Sequence, residues 1–203
     1  MATLSPTNPP SNSGFFGKCF AAGETLQLES GSFINIEDAR VGNRVLAVSS
    51  TGQQLFAPIV AIPHAKNDIK TSFTRLATAQ GKSISMVDDH LVFAGTCGRK
   101  LTLLPAMSVK RGDCLRTIDG DEAVVGVEKH VSRGIYTVVT TEEFLMVSGI
   151  MASPFAVTHT PCHLFYHLHR ALYCLVPSLL ESEVFQKGFE AFGLMVTSPF
   201  LRF

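Results

Sequence analysis

The stretch "GKCFAAGETLQLESG" (17–31) places a cysteine between a polar leader and the first strand-like run of the chain. The leader, residues 1–18, is rich in Pro, Ser and Asn and contains neither an apolar run nor a basic region. That composition predicts a flexible segment and argues against a signal peptide. The run after Cys19 is typical of a strand followed by a turn. The sequence therefore predicts a β domain that begins at Cys19.

Short strand patterns separated by turns dominate the chain downstream of Cys19. The runs are "RVLAVSS" (44–50), "APIVAI" (57–62), "SFTRLAT" (72–78), "SISMV" (83–87) and "HLVFA" (90–94). The segments "SSTGQ" (49–53) and "TIDGDE" (117–122) carry turn residues. One helical turn is expected near "EDARVGNRV" (37–45), with Ile36 and Ala39 facing inward. These patterns predict a mostly β domain with little helix.

Two blocks of this β region recur in the same order. The segment "RVGNRVLAVSSTGQ" (40–53) is similar to "VKRGDCLRTIDGDE" (109–122). The segment "FTRLATAQGKSISMVDDH" (73–90) aligns without a gap with "YTVVTTEEFLMVSGIMAS" (136–153). Two ordered copies of one β unit predict a pseudo-twofold fold.

The character of the chain changes after Ala156. The segment "HTPCHLFYHLHRALYCLVPSLL" (159–180) has apolar residues at helical spacing, and Pro177 should end or kink the helix. These apolar positions are Leu164, Tyr166 or Phe165, Leu168, Leu172 and Leu175. The charge, the histidines and the proline argue against a transmembrane span. A helical appendage over 157–203 is expected, which lies on a surface, lines a groove or caps the β domain.

The composition narrows the classes of function. The 203 residues include 17 basic and 17 acidic side chains, so the net charge of zero argues against nucleic-acid binding. Five cysteines without a CxxC spacing argue against a disulfide scaffold or a four-cysteine zinc site. Cys97, Cys114, Cys162 and Cys174 are therefore expected to be buried apolar side chains.

A metal site in the tail is a further reading of the sequence. His163 and His167 are four residues apart, which puts them on one face of a helix and suits zinc. No glutamate follows His163 to complete an HExxH motif. The prediction is therefore that this chain has no metal site.

Cys19 and His90 are the candidates for chemistry. A cysteine nucleophile needs a thiolate or a nearby base, and histidine titrates in the right range to act on it. His90 stands in "SMVDDHLVF" (85–93), after a strand pattern and two acidic residues. A lone histidine of this kind is often structural, and a lone cysteine near a terminus is often inert, so the pair depends on its surroundings.

Five blocks of the chain, in order and spacing, resemble the Hedgehog-type Hint domain. They are "CFAAGETLQLESG" (19–31), "IEDARVGNRVLAV" (36–48), "FTRLATAQGKSISMVDDHLVFA" (73–94), "RKLTLLPAMSVKRGDCLRT" (99–117) and "GIYTVVTTEEFLMVSGIMASPFA" (134–156). This is the self-processing module of Hedgehog C-terminal halves and their hog relatives, and it is related to inteins. The resemblance implies a pseudo-twofold β horseshoe over 19–156, with the released segment ending at residue 18 and a helical tail over 157–203 that takes part in recognising an adduct.

The resemblance also implies roles for individual residues. The thiol of Cys19 would attack the carbonyl carbon of Lys18 in an N-to-S acyl shift, with His90 as the general acid. Water or an alcohol such as a sterol would then resolve the thioester, with no metal or organic cofactor. The substrate would be the upstream segment of the same chain, and a sterol or lipid its further partner. Hedgehog relatives imply a secretory or extracellular route.

Two departures from the family pattern affect the first step. Val87 stands where family members carry a threonine that holds the scissile amide, so Ser85, Asp88 or Asp89 would have to substitute. Lys18 stands where glycine is usual and would crowd the attack. These departures leave open an alternative function: a degenerate, inactive Hint fold that acts as a binding or structural module.

Two further departures affect the second step. His64 stands where cholesterol-transferring members carry an acidic residue, so it could act as a base toward water or another alcohol. Equally, "IPHAKND" (62–68) could be a plain polar loop. Pro154 in "ASPFA" (152–156) stands where many members have a cysteine, so no thiol acts there.

Overall fold

The computed structural model describes residues 19–156, 166–167, 170–180 and 182. Their regular elements are β1 (Phe20–Ala21), β2 (Thr25–Gln27), β3 (Phe33–Asn35), β4 (Arg44–Val48), β5 (Gln54–Thr78), β6 (Ser83–Met86), β7 (His90–Thr96), β8 (Thr102–Pro105), β9 (Asp113–Thr117), β10 (Gly120–Thr140), β11 (Phe144–Val147), β12 (Ile150–Ala156) and the helix α1 (Pro177–Leu180). The leader 1–18 and most of the predicted tail lie outside the described residues, so the three domain boundaries stay predictions.

The twelve strands form one sheet in the order β3-β2-β11-β4-β5-β6-β1-β10-β9-β12-β7-β8. Additional pairings of β11 with β12, β5 with β10 and β9 with β7 join positions that are distant in this order. The largest apolar cluster takes fully buried side chains from many strands, among them Phe20, Leu26, Leu76, Leu145 and Ile150. The prediction of a mostly β domain is confirmed.

Two long strands carry much of the pairing. "APIVAI" and "SFTRLAT" were expected as separate strands, but they form one strand, β5, which pairs with β10 from Ile59 to Thr78. The register is irregular between Ala61 and His64, and Pro63, which has no N–H to donate, lies at this irregularity. The interpretation of 62–68 as a plain loop is therefore wrong, because these residues belong to β5.

The two halves of the domain repeat a turn that precedes a strand. A single 3-10 turn forms at Ile36–Asp38 and another at Ala106–Ser108, 70 residues later. Each is followed by a glycine in the left-handed region, Gly42 with φ 90° and Gly112 with φ 89°. Ile36 is buried in the first turn, as expected. The predicted pseudo-twofold relation is confirmed.

One side-chain contact is also repeated in the two halves. The Asn43 side-chain oxygen accepts the Arg40 N–H at 2.8 Å, and the Asp113 carboxylate accepts the Lys110 N–H at 2.8 Å. Short polar side chains of this kind close a turn by bonding to nearby backbone. The two copies therefore use the same local device to start β4 and β9.

The helical part of the tail docks on the sheet through aromatic and charged residues. The Tyr166 ring stacks on Phe155 with centroids 5.4 Å apart. The buried Arg170 guanidinium donates from Nε to the Thr140 carbonyl at 2.8 Å and from its second amino group to the Glu142 carbonyl at 2.7 Å. Desolvation lowers the pKa of Arg170 from its ordinary value. The described part of the tail therefore contacts the β domain.

The predicted apolar anchors of this helix are partly wrong. Tyr173 joins Tyr166 against the cluster around Phe155, but the Leu175 side chain is 77% exposed. Arg170 and Tyr173, three residues apart, share one helical face, and Leu175 lies off it. Leu164, Leu168 and the second amphipathic stretch lie outside the described residues.

The predicted effect of Pro177 is confirmed. Helical residues 170–175 end before Val176, and α1 starts anew at Pro177. Proline is well tolerated at the first position of a helix, where its missing N–H has no partner to lose. Within the parts of the tail and domain that the structure describes, no helix is long and apolar enough to cross a membrane.

The prediction for the cysteines is wrong at two places. Cys97 and Cys114 form a disulfide that joins the end of β7 to β9, and Cys174 is exposed. The pairing could not be read from the sequence because the two cysteines are 17 positions apart, with β8 and a reversal of the chain between them. Cys162 lies outside the described residues.

Candidate active site

Cys19 lies immediately before β1, which is inserted between β6 and β10. Phe20 pairs with Met86 on one side and with Tyr136 on the other. The Cys19 carbonyl accepts the Val87 N–H at 3.1 Å, which continues the β1–β6 pairing by one residue. Cys19 is fully buried. The first residue of the described chain is therefore held inside the domain by backbone bonds rather than lying on its surface.

The surroundings of the Cys19 side chain are apolar. Cys19 forms a buried cluster with Ala21, Phe73, Val87 and Ile135. Val87 thus lies against the cysteine, at the position where the resemblance expects a threonine, and its side chain has no hydroxyl to offer. The structure places the first departure of the sequence directly beside the candidate nucleophile.

A tight turn after β6 brings His90 into the region around Cys19. The Val87 carbonyl accepts the His90 N–H at 3.0 Å, so residues 87–90 reverse the chain between β6 and β7. The His90 ring lies against Phe20 with centroids 4.2 Å apart. His90 is fully buried. Two successive backbone bonds, from Cys19 to Val87 and from Val87 to His90, therefore connect the predicted nucleophile and the predicted acid.

The protonation of His90 follows from its contacts. Its Nε2 lies 2.8 Å from the Ser153 carbonyl oxygen, which can only accept, so Nε2 carries the proton. Its Nδ1 is buried and has no hydrogen-bond partner among the described residues. Desolvation lowers the pKa of His90 to about 4, against the Ser153 bond, which raises it. His90 is therefore neutral near pH 7, with a bare lone pair on Nδ1.

Thr137 is a residue that the sequence analysis did not single out. The pairs Phe20–Tyr136 and Ala21–Ile135 fix the register of β1 against β10, and one further step places Cys19 beside Thr137. Thr137 is buried and lies two residues from Ile135, which packs on Cys19. Side chains two apart share a face of a strand. Only the strand register, which the sequence does not reveal, could have identified it.

His64 occupies the next strand along the same row. It pairs with Thr137 across β10 and β5. Cys19, Thr137 and His64 therefore occupy one line across three neighbouring strands. The predicted second-step residue lies in the row of the predicted nucleophile, at a separation of two strands, or roughly 10 Å between backbones.

The carboxylates near His90 have structural partners. Asp88 accepts the Thr74 hydroxyl at 2.7 Å and forms an ion pair with Lys129. Partial burial by itself raises the pKa of Asp88, but the Lys129 ammonium and the Thr74 hydroxyl outweigh it and hold the pKa below its usual value. Asp89 is half-buried in the same turn. Asp88 therefore fixes the turn to β5 and β10.

Glu24 is the second residue that the sequence analysis missed. Its buried carboxylate accepts the Ser85 N–H at 2.9 Å and the Ser148 hydroxyl at 2.6 Å. Desolvation raises its pKa, and the bonds from Ser148 and Ser85 oppose that change. Glu24 thereby ties the segment after Cys19 to the strand that leads to His90. A glutamate in a turn looks solvated in a sequence, so no pattern identified it.

A cleft in the described part of the chain lies away from the cluster around Cys19. It measures about 390 Å³ and is lined by residues of the β10–β11 turn and the docked tail, including Glu142, His167, Arg170 and Cys174. It shares no residue with the cluster around Cys19. The described residues also contain no group of three or more His, Cys, Asp or Glu side chains placed to hold a metal. His163, the other half of the predicted histidine pair, lies outside them.

Solved structures of inteins share this fold. The chain superimposes on the gp41-1 intein with a TM-score of 0.52 and 17% identity, covering 68% of this chain and 98% of the intein. A DnaB intein from Synechocystis gives a TM-score of 0.55 and 12% identity, covering 67% and 97%. At these identities the likeness establishes the fold alone.

Sequence comparison gives more specific relatives. The chain is 26% identical to Warthog protein 6 of Caenorhabditis elegans over 155 residues, which cover 71% of this chain and 26% of that protein. It is 29% identical to Sonic hedgehog protein of Xenopus laevis over 164 residues, covering 74% and 36%. The chain thus spans about a quarter to a third of these relatives. The model of the Hint module matches residues 7–190, and the chain belongs to the Hint family, in its Hedgehog-type branch.

Proposed function

We propose that this chain cleaves its own backbone between Lys18 and Cys19. The Hint fold and its Hedgehog and intein relatives support an autoprocessing function. The observation that carries the specific proposal is the pair of backbone bonds that joins Cys19 through Val87 to a buried, neutral His90. A structural cysteine and histidine have no need of a neighbouring, unpartnered ring nitrogen.

The first step is an acyl shift from nitrogen to sulfur. The Cys19 Sγ forms a bond to the Lys18 carbonyl carbon, and the C–N bond of the scissile peptide then breaks. The thiol proton ends on the α-nitrogen of Cys19, so atoms and charge balance. An amine leaves only when it is protonated, which makes a positioned proton donor essential.

His90 is suited to carry this proton as a shuttle. Because its Nδ1 is bare, it first acts as a base and takes the proton of the Cys19 thiol. The resulting imidazolium is unfavourable in a buried environment, so it is a strong acid toward the departing nitrogen. The role of general acid therefore includes a preceding role as base.

Thr137 is the hydroxyl that takes the place of the one missing at Val87. It is buried on the face of β10 that packs against Cys19, in the position next to it. A hydroxyl there can donate to the scissile carbonyl or accept from the amide. Asp88 fixes the turn that leads to His90, and Ser85 donates its backbone N–H to Glu24.

In the second step a nucleophile attacks the thioester carbonyl and the C–S bond breaks, which restores the Cys19 thiol. Water or a hydroxyl-bearing lipid such as a sterol serves as the acceptor, and His64, in the same row of the sheet, is the residue that would activate it. No metal or organic cofactor takes part. The Cys97–Cys114 disulfide supports an oxidising, secretory route for this protein.

The test uses hydroxylamine, which cleaves thioesters and leaves the Cys97–Cys114 disulfide intact, whereas a dithiol would reduce it. Wild-type protein is expected to lose residues 1–18 when hydroxylamine is added. Cys19→Ala is expected to stay whole, and Cys174→Ala, which removes an exposed thiol, is the matched control that cleaves normally. Cleavage of Cys19→Ala at the wild-type rate would refute the thioester route.

The second candidate function is an inactive Hint fold that acts as a binding or structural module. The apolar contact of Val87 with Cys19 favours it, because that contact removes a hydroxyl from the site. It predicts a folded wild-type protein that hydroxylamine does not cleave.

Cholesterol distinguishes the two acceptors of the active form. A sterol-dependent mass increase on the released segment identifies transfer to the sterol, and its absence identifies hydrolysis.

A further inference from the structure

A bulge in β12 lies next to His90, on the strand that pairs with the start of β7. On β7, Val92 pairs with Ala152, and His90 pairs with Ala156. The two pairs are two positions apart on β7 but four positions apart on β12, so β12 contains two extra residues. In an unbroken antiparallel ladder, Pro154 would stand opposite His90. The bulge removes Ser153 and Pro154 from the ladder.

The side chain of Ser153 closes this bulge. Its Oγ accepts the Phe155 N–H at 2.9 Å, across Pro154, which has no N–H of its own. Ser153 is fully buried. The bulge is therefore built from a local bond between a side chain and the backbone two residues ahead, a geometry that serine supports and alanine does not.

The bulge determines where the Ser153 carbonyl points. Released from the β7–β12 ladder, this carbonyl accepts the His90 Nε2–H at 2.8 Å. The bond fixes the tautomer of His90, so the unpartnered nitrogen is Nδ1. An imidazole has two neutral tautomers, and only a partner of known polarity selects one of them.

We propose that Ser153 is a positioning residue: its hydroxyl builds the bulge that turns its own carbonyl onto His90 and holds that ring in the Nε2–H tautomer, with Nδ1 directed to proton transfer at Cys19. The inference rests on the proposed function for its catalytic consequence. The effect of Ser153 on the His90 tautomer does not depend on whether the chain cleaves itself.

The docked tail packs against the β12 bulge. Phe155, the residue whose N–H the Ser153 hydroxyl accepts, is buried and stacks on Tyr166. The contact connects the helical segment to the residue next to the bulge. Packing on a neighbouring residue limits the conformations that a bulge can adopt.

The test measures the tautomer and the rate separately. In a Cys19→Ala background, which cannot form the thioester, ¹⁵N NMR of His90 is expected to show protonated Nε2 and unprotonated Nδ1. Ser153→Ala is expected to give a mixture of tautomers, and Ser153→Thr, which keeps a hydroxyl, is expected to restore the single form. An unchanged tautomer in a folded Ser153→Ala protein would overturn the proposal.

The rate is then measured in proteins that keep Cys19. Ser153→Ala is expected to slow hydroxylamine-dependent cleavage about tenfold and to shift its pH profile, with Ser153→Thr close to wild type. Thr102→Ala, which removes an exposed hydroxyl on β8, is the control for unspecific loss. Absence of cleavage in the wild type would refute the proposed function while the NMR result still decides the role of Ser153. Equal rates in wild type and Ser153→Ala would refute the positioning role.

Discussion

The two halves of this domain resemble each other in their turns and differ at their chemistry. Asn43 and Asp113 make the same backbone contact, and Gly42 and Gly112 adopt the same conformation. At the start of β7 and of its counterpart β12, however, His90 stands where the other half has Ile150. The His90 ring is bonded to the Ser153 carbonyl of this counterpart strand, across the pseudo-twofold relation. The repeated features hold the fold, and the features that differ form the candidate site.

The largest expected effect comes from His90, the residue that breaks the repeat. His90→Gln is expected to slow hydroxylamine-dependent cleavage about 10³-fold, because the variant has no group that both accepts and returns a proton. Cleavage is followed by intact mass over time. A cleavage rate of His90→Gln within a few-fold of wild type would show that His90 does not transfer the proton in the acyl shift.

The lowered pKa of buried His90 also determines how the stability of the fold depends on pH. The pKa of His90 is about 4 in the folded chain and about 6.5 in the unfolded chain, so the unfolded state binds the proton first as the pH falls. In the Cys19→Ala background, stability is expected to fall by about 3 kcal/mol between pH 6.5 and pH 4. Urea unfolding measures this. His90→Gln should lack that part of the loss, and an identical pH dependence in both proteins would contradict the burial of a neutral ring.

The disulfide is another feature of one half only. Cys97→Ser with Cys114→Ser is expected to lower the free energy of unfolding by about 3 kcal/mol, because the bond closes a loop between residues 17 positions apart. The bond lies at the end of β7 opposite to His90, so cleavage of the protein that remains folded should keep the wild-type rate. A large change in that rate at equal folded fraction would mean that the disulfide also shapes the site.

Changes to the hydroxyl groups beside Cys19 are expected to have a smaller effect on the cleavage rate. Thr137→Val is expected to slow cleavage about tenfold, since it leaves Cys19 between apolar neighbours on both strands. Val87→Thr restores a hydroxyl at the position where the family carries one, and it is expected to recover much of that loss in the Thr137→Val background. If Thr137→Val alone has no effect on the rate, the hydroxyl is supplied from elsewhere.

The smallest effects are expected at the repeated turns. Asn43→Ala and Asp113→Ala should each lower stability by about 1 kcal/mol, by similar amounts, without changing the cleavage rate. Thermal unfolding in the Cys19→Ala background compares the two variants. Strongly unequal losses would show that the two copies do not contribute alike to the fold.

The sequence predicted those parts of the molecule that depend on local pattern. Alternating residues, turn residues and the repeat predict the strands and the pseudo-twofold relation, and Cys19 and His90 follow from the resemblance. The contacts that complete the site are not local. Thr137 reaches Cys19 through strand register, and the Ser153 carbonyl reaches His90 through a bulge. Register and bulges are decided by the packing of strands that are far apart in the chain.

The errors have the same origin. A polar stretch such as 62–68 resembles a loop, but β10 supplies a partner along its length and makes it a strand. Leu175 has the spacing of an anchor, but the buried Arg170 fixes the helix with a different face toward the sheet. In both cases a tertiary contact overrides the local pattern.

The mass of the released leader tests the central claim most directly. After incubation with hydroxylamine under non-reducing conditions, the account predicts a peptide of residues 1–18 that ends in a hydroxamate at Lys18, together with a domain that begins at Cys19, and neither product from Cys19→Ala. A folded wild-type protein that stays whole, or a leader released without the hydroxamate at the same rate with and without Cys19, would contradict it.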